Sequence, residues 1–211
     1  MKSLKHFIWD FDGTLFDTYP NLAGYMQKAL QDCGIAESKR NIHEQMLINV
    51  PHTIRYYGEK YNIPDMKDRY DKYYVNQHQD SAPPFPGVRE VLDQIRANGG
   101  YNYIFTNRGE STYPYLEKAN LTDCFREIIT TAHPQFVYKP SPAPILYLME
   151  KYGGTAEDTV MVGDRTCDLE SGYNAGCKTI HLLTPDIPRY PPCDWQVTDF
   201  WDLLKKLTVD S

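Results

Sequence analysis

Short apolar runs that alternate with helix-period segments restrict this chain to one class of fold. His6-Phe7-Ile8-Trp9, Tyr103-Ile104-Phe105, Glu127-Ile128-Ile129-Thr130, Thr159-Val160-Met161-Val162 and the stretch from Lys178 to Leu183 have the length and the β-branched or aromatic content of buried strands. Between two of them, Val88, Val91, Leu92 and Ile95 fall on one helical face, and Gly99-Gly100 closes that helix with a favourable C-cap. Strands and helices in alternation imply a parallel sheet covered by helices on both faces, an α/β fold. A chain of 211 residues suits one such domain, or a core with a smaller insert, and is ample for a hydrophobic core.

From Tyr19 to Ala82 the texture changes. No strand is legible there, and the apolar positions recur with a helical period: Leu22, Tyr25, Met26, Ala29 and Leu30 form a stripe that Cys33-Gly34 ends. Ile54, Tyr57 and Tyr61 suggest a second stripe, and Met66, Tyr70, Tyr73 and Tyr74 a third. Tyr56-Tyr57, Tyr70 and Tyr73-Tyr74 are expected to form the core of a helical bundle. Ala82-Pro83-Pro84-Phe85-Pro86-Gly87 reads as the return of the chain, since its prolines cannot continue a helix. The expected organisation is a sheet core at residues 1–16 and 84–211 and an inserted helical cap at residues 17–83.

Composition narrows the function classes. No apolar run approaches membrane-spanning length, and the first residues lack an apolar segment followed by a cleavage site, so a cytoplasmic protein is expected. Cys33, Cys124, Cys167, Cys177 and Cys193 are scattered, odd in number and without a C-x-x-C pair, which suits reduced thiols. A net charge of -6 with no basic stripe argues against a nucleic-acid partner.

Polar residues gather where the apolar runs end. Asp10 and Asp12 follow the first, Thr106 the second, and Asp164 and Asp168 follow the Thr159–Val162 run, at the strand-to-loop junctions where parallel sheets place their chemistry. Read locally, the first pair is equally a solvated strand end, and the last is equally a helix N-cap with a first-turn acid, because Thr166 to Asn174 has a helical pattern. Lys139, by the same local reading, is a surface lysine.

Taken in order, these segments resemble the motifs of the haloacid dehalogenase-like superfamily. Trp9-Asp10-Phe11-Asp12-Gly13-Thr14-Leu15-Phe16-Asp17-Thr18 resembles the first motif, and Ile104-Phe105-Thr106-Asn107 the second. Tyr138-Lys139-Pro140-Ser141-Pro142 supplies the lysine of the third, and Val162-Gly163-Asp164-Arg165-Thr166-Cys167-Asp168 the fourth. The resemblance implies a Rossmann-like parallel sheet with an inserted α-helical cap and a magnesium-dependent phosphatase acting on small phosphate monoesters through an aspartyl-phosphate. Asp10 is then the nucleophile, and Asp12 the general acid and base. Thr106 and Lys139, with main-chain N–H groups of Phe11, Asp12 and Asn107, would hold the phosphoryl oxygens. The Mg2+ ion would be bound by the Asp10 side chain, the Asp12 carbonyl and Asp164, with Asp168 either a direct ligand or a holder of water. Asp17-Thr18-Tyr19-Pro20-Asn21-Leu22 and Thr106-Asn107-Arg108 resemble the phosphoglycolate phosphatase-like group.

The expected partner is a small phosphorylated metabolite, with the chain a monomer or dimer. A sugar phosphomutase of the β-phosphoglucomutase type is the nearest alternative, but Pro20, Asn21 and Leu22 occupy the region of that group's histidine, and His52 stands where its cap loop has an arginine. A non-catalytic phosphate- or metal-binding regulator is the third reading. His52 and Arg55 lie where related caps carry specificity residues. His43, His52 and His78 are otherwise expected to be surface or packing groups. The cap is expected to move on hinges near Phe16-Asp17 and Pro83-Pro84.

Overall fold

A computed structural model describes residues 1, 3–75, 82–183 and 193–209. The chain forms two compact units, Met1–Phe16 with Pro83–Ser211, and Asp17–Ala82.

In the first unit a parallel six-stranded sheet has the strands β1 (His6–Trp9), β2 (Tyr101–Phe105), β3 (Phe125–Ile129), β4 (Thr159–Gly163), β5 (Lys178–Leu182) and β6 (Trp195–Val197), in the order β3-β2-β1-β4-β5-β6. β1 is central, with His6 opposite both Tyr101 and Thr159 and Trp9 opposite both Ile104 and Val162. The chain order reverses between β1 and β4, and open parallel sheets carry their ligand crevice beyond the carboxyl ends of the strands at that switch. Asp10 and Asp164 stand there.

The two-residue period of β1 sends alternate side chains to opposite faces. Ile8 packs with Met161, Tyr103, Ile145 and Leu148 in a buried cluster, the last two from α7 (Ala143–Tyr152). Trp9 turns the other way, stacks on Phe200 of α9 (Phe200–Val209) at 5.7 Å, and donates its indole N–H to Asn102 at 3.1 Å. The remaining α-helices among the described residues of this unit are α5 (Val88–Ala97), α6 (Thr112–Lys118) and α8 (Thr166–Asn174). The helix read over Val88–Ile95 ends where expected, with Gly99 at φ 78° and the Gly100 N–H bonded to the Ile95 carbonyl. The main chain of Phe16 bridges Asp12 and Pro84, and the Phe85 N–H reaches the Leu15 carbonyl at 3.0 Å.

The second unit contains α1 (Tyr19–Gln31), α2 (Lys39–Met46), α3 (Val50–Lys60) and α4 (Met66–Tyr74), with no strand among its described residues. Their apolar stripes converge on a buried cluster that includes Leu22, Met26, Leu30, Ile42, Met46, Tyr57, Met66 and Tyr70. Two of the expected core tyrosines are fully buried, Tyr57 and Tyr70. Tyr73 and Tyr74 pack at the margin, and Tyr56 is exposed, because it precedes Tyr57's inward position by one residue and so turns away from the bundle. Glu37, between α1 and α2, accepts hydrogen bonds from Asn41, Lys60 and Tyr61 at 2.7–2.8 Å, tying α2 to the end of α3. Those donors pull its carboxyl down to about 2. His78 lies outside the described residues.

All five cysteines are free. No helix among the described residues is long and apolar enough to cross a membrane.

Candidate active site

The first strand delivers Asp10 into the switch point and the chain turns sharply behind it. The Asp10 N–H still bonds across to Val162 at 2.9 Å, after which the Phe11 carbonyl accepts the N–H groups of Leu15 and Phe16. Gly13 permits that reversal, since it sits at φ 81°, a left-handed conformation that side chains with a Cβ rarely adopt. Asp10 is fully buried, Phe11 is buried against Phe16 at 4.6 Å, and the Thr14 hydroxyl donates to Asp164 Oδ1 at 2.8 Å.

Thr106 directly follows β2, and its Oγ1 accepts the Arg108 N–H at 3.0 Å. The Asn107 side chain accepts the N–H of Lys139 at 2.9 Å, so the loop after β2 clamps the loop after β3. From there Lys139 reaches inward, wholly buried, and donates to Asp10 Oδ1 at 2.5 Å and to Asp168 Oδ1 at 2.8 Å. It is no surface lysine.

The last residue of β4, Gly163, is a glycine for a steric reason. A Cβ on that residue would stand 2.3 Å from the Cβ and 2.5 Å from the Oδ2 of Asp168, so the carboxylate occupies the space that any other residue would fill. Asp168 Oδ2 caps the first turn of α8 by accepting the Arg165 N–H at 3.0 Å. It is thus an N-terminal capping group and a member of the site at once. His181 on β5 is buried and places Nε2 at 3.1 Å from the Asp164 carbonyl oxygen. A carbonyl only accepts, so Nε2 carries the proton and His181 anchors that corner.

Asp10, Asp164 and Asp168 are all buried and offer carboxylate oxygens within 4.8 Å of one another. Burial, aided by Asp168, pushes the Asp10 carboxyl up against the pull of Lys139 and Arg165. Burial likewise raises Asp164 to about 7, with Arg165 opposing and Asp10 adding to the rise. At Asp168 burial acts in the same sense but loses to the Lys139 and Arg165 cations, which hold its carboxyl low. The Lys139 ammonium stays charged because Asp10 and Asp168 overcome its own desolvation.

Membership is decided by the match of residues 7–182, from β1 through β5, to the family described as Haloacid dehalogenase-like hydrolase. The chain belongs to that family. It is 28% identical over 190 residues to a phosphoglycolate phosphatase of Yersinia pestis, covering 86% of this chain and 82% of the relative. It is 30% identical over 183 residues to one of Nitrosospira multiformis, covering 82% and 80%. Among solved structures, one from Haemophilus somnus described as a predicted phosphoglycolate phosphatase superposes with a TM-score of 0.83 at 25% identity, covering 98% of this chain and 99% of that one.

In this haloacid dehalogenase-like hydrolase the residues read from the sequence converge only in part. Asp10, Lys139, Asp164 and Asp168 form one bonded cluster. Phe11, Asp12, Thr106 and Asn107 stand on the loops beside it. His52 and Arg55 are on α3 in the other compact unit, His52 with Nε2 at 3.1 Å from Gln45 Oε1 and Arg55 exposed. Two cations escaped the sequence reading. Arg108, buried, donates to Asp12 Oδ1 at 2.7 Å, and Arg165 stands 3.6 Å from Asp10 Oδ2. Both sit inside motifs already quoted, where only their neighbours had been given roles.

Proposed function

We propose that this hydrolase cleaves small phosphate monoesters in a magnesium-dependent reaction through an aspartyl-phosphate on Asp10, with phosphoglycolate the first substrate to test. Family membership, with relatives that carry the phosphatase name over four-fifths of their length, makes it a phosphoric monoester hydrolase. Those relatives do not favour the mutase. One observation carries the mechanistic reading: Asp10 is buried with Oδ1 on the Lys139 ammonium, while its buried Oδ2 accepts no hydrogen bond. Arg165 at 3.6 Å is beyond hydrogen-bonding distance, so that anionic oxygen in a dry site is costly unless a closer cation meets it.

The donor set fits a hard ion. Asp10 Oδ2 and the Asp164 carboxylate, with the Asp12 carbonyl, would hold magnesium, which favours a few oxygen ligands and water. Asp168 suits an outer role, because Oδ1 already accepts Lys139 and Oδ2 the Arg165 N–H. When bound, the ion supplies positive charge to the transferring phosphoryl oxygens.

The chain's own groups perform the rest. The Asp10 carboxylate attacks phosphorus as the bond to the leaving alkoxide breaks, and Asp12 gives that oxygen a proton. Asp12 then takes a proton from water as the water oxygen attacks the acyl phosphate, and the bond from phosphorus to Asp10 breaks to free phosphate. Lys139, the Thr106 hydroxyl and the N–H groups of Phe11, Asp12 and Asn107 stabilise the phosphoryl oxygens throughout. We place substrate choice in the helical cap, at residues 17–83, with His52 and Arg55 as its first candidates.

A panel of phosphorylated metabolites, phosphoglycolate among them, tests the reading with acid-quench trapping of the phospho-enzyme. Magnesium-dependent phosphate release with a trapped adduct, both absent in Asp10→Asn, is the expected result. Asp10→Asn retaining more than about a hundredth of the activity would remove the nucleophile. No release from any ester would favour the regulator.

A further inference from the structure

We propose that Arg108 is a positioning residue that holds the Asp12 carboxylate in place for both proton transfers without touching the phosphoryl group. The proposal rests on the phosphatase reading above. Arg108 is a built feature of the core rather than a surface cation. Its side chain is 1% exposed and its NH1 donates to Asp12 Oδ1 at 2.7 Å. The guanidinium lies over the rings of Tyr115 and Phe11, at 4.9 and 5.7 Å from their centroids. Its backbone is fixed on both sides, by the N–H to Thr106 Oγ1 and by the carbonyl that accepts Thr131 N–H at 3.0 Å.

That arrangement joins the acid-base loop after β1 to the Thr106 turn after β2. Phe11 and Phe16 stack, and Tyr115 of α6 meets both edge-on at 5.9 Å, so the guanidinium packs against a rigid aromatic wall. A planar donor packed against that wall restricts the orientation of the carboxylate it holds. Positioning matters most where Asp12 moves a proton. Misplacement by about 1 Å costs on the order of a hundredfold in such steps.

The test separates the half-reactions by burst kinetics in Arg108→Met and Arg108→Lys, with 4-nitrophenyl phosphate and a simple alkyl phosphate. A nitrophenolate leaves without help from an acid, so phosphorylation of Asp10 by the aryl ester should stay within about threefold of wild type in Arg108→Met. Phosphorylation by the alkyl ester and hydrolysis of the phospho-enzyme should each slow about 10–100-fold, and Arg108→Lys should recover part of both. Inhibition by inorganic phosphate should not change. If phosphate inhibition weakens in step with a raised KM, Arg108 is a substrate contact and the proposal is overturned. Equal slowing of every step, or none, also overturns it. If Arg108→Met does not fold, the same split is read in Arg108→Lys alone. A wild-type enzyme with neither turnover nor phospho-enzyme would instead overturn the phosphatase reading.

Discussion

Replacing Gly163 by alanine should damage the site through Asp168, whose atoms lie nearest the added methyl. The added methyl would lie 2.3 Å from the Asp168 Cβ and 2.5 Å from its Cγ and Oδ2. Carbon atoms in contact rest about 3.5–4.0 Å apart, so Asp168 or the end of β4 must retreat by about 1 Å or more. Overpacking of that kind costs about 1–3 kcal/mol, and loss of the cap on the Arg165 N–H adds about 1 kcal/mol. A total of about 2–4 kcal/mol lowers the melting temperature by roughly 5–15 °C in a chain of this size. Lys139 loses its Asp168 anchor at the same time, and a displacement of about 1 Å at the candidate site costs about a hundredfold in kcat/KM. Thermal melting and steady-state hydrolysis of an aryl phosphate measure both. The control is a double-mutant cycle with Asp168→Gly, which removes the three atoms nearest the added methyl. Gly163→Ala should add little to Asp168→Gly in either assay, since the two changes act through one contact. Full additivity, or a Gly163→Ala variant that melts and turns over like wild type, would refute the steric argument.

Chelation of divalent ions should abolish turnover, magnesium should restore it and calcium should inhibit; Asp164→Asn should raise the magnesium needed by at least about tenfold and more than Asp168→Asn, measured by metal titration of activity. Glu37 is held at about 2 in the folded chain against an ordinary 4.5, so its contribution to stability is complete above pH 4.5 and is lost as pH falls toward 2. Glu37→Gln should therefore lower the melting temperature at neutral pH and flatten its decline over that acid window, and unchanged slopes would contradict the assignment. His52→Ala and Arg55→Ala should reorder natural phosphate esters while leaving a small aryl phosphate within about threefold, because that substrate makes few remote contacts. Equal loss on every ester would make α3 structural rather than selective.

The strand ends were legible because an apolar run that stops at a carboxylate or hydroxyl is a local pattern, and β1, β2 and β4 each show one. β6 was not, for Trp195–Val197 is too short to set a period. α2 has only Ile42 and Met46 turned inward, a single i, i+4 pair among polar residues. α9 carries a readable stripe in Phe200, Leu203 and Leu207, which lies after the last apolar run and went unassigned. In the site, Lys139 emerged only through its motif, since nothing near it in the chain says that its ammonium meets Asp10. Arg108 and Arg165 were harder still. An arginine reads the same whether it is solvated or buried, and Arg108 is buried by Tyr115 and Phe11, which its own surroundings in sequence do not announce.

The central place of β1 bears on how this enzyme is made. Its partners are distant along the chain: Lys139 lies 129 residues from Asp10, Arg108 lies 96 from Asp12, and Thr14 lies 150 from Asp164. Closing loops of that length before any pairing rewards them is the slow part of assembling non-local sheets. On a ribosome, Asp10 is therefore synthesised long before β4 exists to flank it, and one edge of β1 waits without its partner strand. Catalysis then becomes a report on completed folding, because no chain that stops short of α8 can join Asp10, Lys139, Asp164 and Asp168.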